Sequence, residues 1–153
     1  MSEDRIEVSR LINASPEKIF ALLSSPAGHV AIDSSGMLQS FTGDPAKAVG
    51  DTFDIHMDRE SLNDFPDMGK YDVTILITTY EQDREIAWTV TGRLNLGHVY
   101  GYRLEPKDGG TLVTQYYDWS TIEQNWREMN IFPVISETAL RATLGILART
   151  VEH

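Results

Sequence analysis

From Met37 to Trp119 the chain alternates apolar and polar residues in short runs, each closed by turn residues. Alternation of this kind marks strands with one buried and one wet face, joined by tight connections. Six runs fit: Met37–Thr42, Asp51–Asp58, Tyr71–Tyr80, Ile86–Thr91, Val99–Glu105 and Leu112–Trp119. Arg5–Ile12, with Ile6, Val8 and Ile12 set against Glu7 and Ser9, makes a seventh. Arg59–Gly69 carries Pro and Gly without a period and reads as a loop over one end of the sheet.

Helical signals flank this block. Ser15-Pro16-Glu17 opens a helix with a serine cap, a proline where no amide hydrogen is needed and an acid at the positive dipole end. Ile19, Phe20 and Leu23 give it one apolar face; Ser24, Ser25, Pro26 and Gly28 break it, and a second short helix runs through His29 to Asp33. Ser120–Ile131 reads as irregular. At the C-terminal end Ile135, Ala139, Leu140, Thr143, Leu144, Leu147 and Val151 recur at helical spacing, a helix of roughly five turns. The order describes one α+β domain over 1–153, a curved antiparallel sheet of about seven strands around a long C-terminal helix, with two short helices after the first strand. A twisted sheet of that size curls, and one helix cannot fill its hollow, so a pocket is expected between them.

Composition narrows what such a pocket can do. Cysteine is absent, which removes disulfides, thiolate metal sites and a thiol nucleophile. The net charge of −10 comes without any cluster of Lys and Arg, a balance that disfavours nucleic acid and anionic membrane surfaces. No apolar run approaches the ~20 residues of a membrane helix, and the N-terminus lacks the apolar core of a secretory signal; the expected location is cytoplasmic. The G-x-S-x-G, H-E-x-x-H, phosphate-loop and dinucleotide motifs are missing, and no cofactor is called for. His29 and Asp33 have no third ligand fixed by spacing, and His56 between Asp54 and Asp58 alternates to one strand face that reads as a solvated acidic face, so no metal site is assigned.

The ribbon Gly97–Trp119 carries four tyrosines. Treating Pro106–Gly110 as a five-residue loop pairs Glu105 with Thr111, Tyr102 with Thr114, Tyr100 with Tyr116 and His98 with Asp118. One face then presents Leu104, Tyr102, Tyr100 and Tyr116 with a His/Asp pair at its end, while Arg103, Glu105, Thr111 and Gln115 face water. Buried tyrosine hydroxyls need partners, which a dry core does not supply and a lined cavity does. The expected lining is Phe53, Ile55 and Met57 from one strand, Trp88 from another, Tyr100, Tyr102 and Tyr116 from the ribbon, and Leu140 and Leu144 from the last helix. Trp119, Trp126 and Phe132 are expected to anchor that helix or line the entrance. His98 and Asp118 are the best acid–base pair, a carboxylate orienting an imidazole.

The opening IEVSRLINASPEKIFALLSSPAGH and the later GYRLEPKDGGTLVT resemble the first strand with its capped helix, and the penultimate hairpin, of the polyketide cyclase and START-like lipid-transfer superfamily (SRPBCC), the helix-grip or birch-allergen-like fold. The likeness spans nearly the whole chain and is greatest to small actinobacterial members. It implies the helix-grip fold and leaves three functions open. The first is binding or transport of a small hydrophobic molecule, a lipid, polyketide or aromatic metabolite. The second is a cofactor-free polyketide cyclase or dehydratase using His98 and Asp118, and the third a protein-interaction module. Monomer and homodimer are both compatible with an exposed edge strand.

Overall fold

Ser15 decides where the first strand gives way to the first helix. β1 (Arg5–Ile12) ends just before it, and α1 (Pro16–Leu23) begins just after, with the Ser15 hydroxyl accepting from the Lys18 amide at 3.2 Å. This computed structural model describes residues 4–35, 37–58, 70–92, 97–122, 124–128 and 136–152, with the side chains of 126 and 127 left aside. The expected Arg59–Gly69 loop, Ile135 and Phe132, and the Trp126 side chain, lie outside the described residues.

α1 buries Ile19, Phe20 and Leu23 and stops at Ser24, and α2 (Pro26–Ile32) follows at once. Gly28 does not break a helix. It sits inside α2 where an added Cβ would fall 1.8 Å from the Leu22 carbonyl oxygen, so its role is to let α2 touch the backbone of α1. Past α2 the Asp33 carboxylate accepts from the amides of Ser35 (2.9 Å) and Leu38 (3.1 Å), turning the chain into β2 (Leu38–Thr42).

Then come β3 (Thr52–Asp58), β4 (Lys70–Glu81), β5 (Glu85–Gly92), β6 (Val99–Lys107) and β7 (Gly110–Asp118), a short α3 (Gln124–Glu128) within the stretch expected to be irregular, and α4 (Glu137–Glu152). The seven strands form one antiparallel sheet in the order β1-β7-β6-β5-β4-β3-β2. Its two edges are therefore the first and second strands. α4 packs on β1, β7 and α2, while α2 covers β2 and β3 and α1 approaches β6, so all the packed helices lie on one face of a curved sheet, the helix-grip arrangement. No helix among the described residues is long and apolar enough to cross a membrane.

The core lies between that inner face and the helices. Val8 and Ile12 of β1, Ile55 of β3, Ile77 of β4, Ile86 of β5 and Val113 of β7 are buried in one cluster with Leu140, Leu144 and Leu147 of α4. Polar ties fix α4 at both ends. The Glu152 carboxylate accepts from the Asn13 amide at 2.9 Å, and the Ser34 hydroxyl donates to the Ala139 carbonyl at 3.1 Å.

The hairpin register differs from expectation by one residue. β6 and β7 run on through Lys107 and Gly110 and are joined by Asp108-Gly109 alone, both at positive φ (51° and 81°), as a two-residue hairpin turn requires. Pro106 is inside the strand, tolerated because pairing with β5 ends at Arg103. Tyr100 consequently faces Tyr117, Tyr102 faces Gln115, and Val99 faces Asp118. A slip of one turns over every side chain of β7: Thr111, Val113, Gln115 and Tyr117 point inward, and Tyr116 and Asp118 point outward.

Candidate functional site

The register assembles an aromatic surface on the inner face. Ile6, Tyr117, Tyr100, Trp88 and Ile77 stand side by side across β1, β7, β6, β5 and β4. Tyr117 and Tyr100 stack at 4.5 Å with 10° between planes, and Trp88 stacks on Tyr100 at 5.9 Å and on Tyr102 at 5.8 Å. Trp119 continues the array from the end of β7, 5.3 Å from Tyr117. Offset stacks of this kind add roughly 0.5–1.5 kcal/mol per pair beyond the area they bury, and together the rings form an aromatic wall buried within the core.

Helix α2 lowers His29 onto this wall. Its ring meets Trp88 at 4.6 Å and Phe53 edge-on at 5.1 Å, and its Nε2 donates to the Leu23 carbonyl at 2.8 Å. That bond requires the proton on Nε2 and leaves Nδ1 an acceptor. Burial lowers the His29 pKa to about 4, so the ring is neutral at physiological pH. His98 enters from the other end, its Nδ1 hydrogen-bonded to the Tyr117 hydroxyl at 2.9 Å and its ring against Tyr100 and Tyr117. Burial lowers its pKa to about 4 as well. The Tyr102 phenol is pushed up by burial, with the Asp33 carboxylate adding to the effect, and stays protonated. Among the described residues one buried side-chain atom has no hydrogen-bond partner: Oε1 of Gln115.

Of the expected lining residues, Phe53, Ile55, Trp88, Tyr100 and Tyr102 share the inner face, with Met57 half-buried at its rim and Leu140 and Leu144 on the buried side of α4. Two expectations are corrected. Tyr116 is on the outer face, where its ring lies across Gly101 and is flanked by the guanidinium groups of Arg5 at 4.4 Å and Arg103 at 5.2 Å, and its hydroxyl donates to Glu85 at 2.6 Å. Asp118 is not the partner of His98. Its carboxylate faces outward and accepts from Arg5 at 3.0 Å and from the Ser120 amide at 2.8 Å. The His98/Asp118 dyad therefore has no geometric basis. His29 and Asp33 do not converge either, since Asp33 is occupied by the turn into β2.

Tyr117, His29 and Gln115 are the inner-face residues that sequence reasoning missed. The Asp108-Gly109 pair, the strongest short-range hairpin signal, would have placed the first and the last; nothing in the sequence points to His29. Thr111 and Gln115, expected in water, are buried.

The outer face is a polar fabric. Asp72 accepts from His56 Nδ1 at 2.7 Å, and His56 Nε2 bonds the Thr42 hydroxyl at 2.8 Å, lacing β4, β3 and β2 together. Both His56 and Asp72 also border an open cleft of about 470 Å³ with Met57, Lys70 and Tyr71. Among the described residues no group of three or more His, Cys, Asp or Glu is placed to hold a metal ion.

The outward position of Tyr116 gives a direct check. Tyr116→Phe should cost about 1–2 kcal/mol in urea unfolding, because Glu85 loses its only charge-assisted donor from that ring.

Residues 3–152 match the family model described as "Polyketide cyclase / dehydrase and lipid transport". Among solved structures, the chain is similar to a crystal structure from Rhodobacter sphaeroides (TM-score 0.69, 20% identity, covering 99% of this chain and 93% of that one). The Aha1 dimer from Colwellia psychrerythraea matches with TM-score 0.63 and 20% identity over 97% of this chain and 96% of that one. The ginseng major latex-like protein 151 from Panax ginseng matches with TM-score 0.61 and 12% identity over 96% of each chain. At these identities the likeness shows the fold alone. No curated protein matches the chain in sequence.

Proposed function

Since the chain belongs to the polyketide cyclase / dehydrase and lipid transport family, we propose that it binds one small, flat hydrophobic molecule between the inner face of its sheet and α4. The observation that carries this reading is the unbroken run of ring contacts from Trp119, tilted against Tyr117, through the stacked Tyr117, Tyr100, Trp88 and Tyr102, met by His29 from α2. Leucine and valine would fill a closed core with less polar cost; rings carrying hydroxyl and imidazole groups suit a partner that comes and goes.

The same electrostatics favour binding over proton transfer. A general base works best with a pKa near the operating pH, and both inner-face histidines sit at about 4. Their neutral rings and the protonated Tyr102 supply hydrogen bonds that orient a guest. With Asp118 on the far side of the sheet and engaged by Arg5, that carboxylate does not raise the basicity of His98.

The test is uptake of N-phenyl-1-naphthylamine, a neutral aromatic probe whose fluorescence rises in apolar surroundings. Saturable one-to-one binding is expected, with energy transfer from tryptophan that falls in Trp88→Phe. Absence of uptake by protein freed of co-purifying material would refute the reading.

A further inference from the structure

The inner face holds one group that packing does not explain. Gln115 stands on β7 between Val8 of β1 and Tyr102 of β6, two residues from Tyr117, and is only 5% exposed. Its Oε1 is buried and meets no hydrogen-bond partner. A buried amide oxygen left in this condition loses its hydration without compensation, and an apolar side chain of the same length would be less costly. The amide is therefore in place for something that the described residues do not supply.

Resting on the binding role proposed above, we propose that the guest is a neutral hydroxylated aromatic molecule whose hydroxyl meets the Gln115 amide while its ring lies on the Tyr117–Tyr100–Trp88 wall. A hydroxyl donates to Oε1, and it equally accepts from the amide NH2 if the amide is turned over, so it satisfies Gln115 in either orientation. A ketone or carboxylate satisfies only the second.

Charge also discriminates. The residues beside Gln115 on the inner face, Val8, Tyr102, Val113 and Tyr117, include no cation. Arg10, on the same side of β1, is exposed and reaches toward Gly145 of α4. The two histidines that border the wall are neutral at physiological pH. An anionic guest, such as a fatty acid, would lose its hydration with no opposite charge beside Gln115 among the described residues to receive it. The specificity is for the phenol or naphthol class.

Displacement of N-phenyl-1-naphthylamine at pH 7 tests this with three ligands of one shape: 2-naphthol, 2-methylnaphthalene, which lacks the hydroxyl, and 2-naphthoate, which carries charge. The protein should prefer 2-naphthol to 2-methylnaphthalene by about tenfold, the size of one well-made hydrogen bond, and should bind 2-naphthoate more weakly than either. Gln115→Leu and Gln115→Met should keep the probe and 2-methylnaphthalene while losing the preference; two replacements guard against one that fails to fold. Equal binding of naphthol and methylnaphthalene, or a preference that survives both replacements, overturns the assignment to Gln115 and leaves the binding role standing. Failure of the unaltered protein to take up the probe overturns both.

Discussion

Gly28→Ala is expected to destabilise the chain by about 3 kcal/mol or more and to weaken probe binding with it. The added methyl would lie 1.8 Å from the Leu22 carbonyl oxygen and 2.7 Å from its carbon, far inside contact distance and against backbone that cannot rotate away. Relief requires α2 to move off α1. Both helices are pinned, α1 by Ile19, Phe20 and Leu23 in the core and α2 by Ile32 and by its packing on β2, β3 and α4, so overpacking here should exceed the usual ~1–3 kcal/mol. Because His29 is the next residue, the same displacement lifts its ring from Trp88 and Phe53. Gly145→Ala is the contrast. It sits in α4, its added methyl would meet nothing nearer than Arg10 Nη1 at 3.8 Å, and alanine should stabilise that helix by up to ~1 kcal/mol. Urea unfolding of the two variants separates the cases; a change below ~1 kcal/mol in Gly28→Ala would show that α1 and α2 are not held against each other as described.

Gly28 also shows what a sequence conceals. As a letter it marks a break, and only the tertiary approach of two helices reveals that it is required for contact. Local chemistry was legible. The Ser15 cap, the seven alternating runs and the apolar stripe of α4 all lie where sequence reasoning put them, because each is decided by neighbours within a turn or a strand. The face assignment of β6, β5 and β3 was legible for the same reason, since alternation fixes which residues travel together. What failed was a single integer. Reading Pro106 as the end of a strand made a five-residue loop, whereas the strand runs through Pro106 because β5 has already ended its pairing. That one choice moved Tyr116 and Asp118 to the inner face and Tyr117 and Gln115 to the outer, and it created a His98/Asp118 dyad that the chain does not form. The site is thus far more sensitive than the fold to an error in register: the fold survives a slip of one, while the chemistry of a whole strand is exchanged.

Mild acid should unfold this protein well before its carboxylates are protonated. In the folded chain His29 and His98 have pKa values of about 4 because burial opposes their charged forms, whereas in the unfolded chain each returns to its ordinary 6.5. Between these values the unfolded state binds more protons than the folded one, so stability is full above pH ~6.5 and falls as pH drops toward ~4. Each histidine contributes a slope of up to roughly 1.4 kcal/mol per pH unit, and the pair implies a loss on the order of 5 kcal/mol between pH 7 and 4.5, a large part of a typical domain's stability. Carboxylates act in a lower window. Glu7, held down by its hydrogen bond from Arg5, and Asp118, where the bonds from Ser120 and Arg5 outweigh the upward push of burial, add stability that is lost as pH falls below their ordinary values of 4.5 and 3.8. Urea unfolding at half-unit steps from pH 7.5 to 4.5 should therefore show a steep decline that begins near pH 6.5, and the slope should roughly halve in either His29→Asn or His98→Gln. Stability that stays level down to pH 5 would mean that water or a counter-charge reaches these rings, and the inner wall would then not be the dry, uncharged surface on which selection of a neutral guest depends.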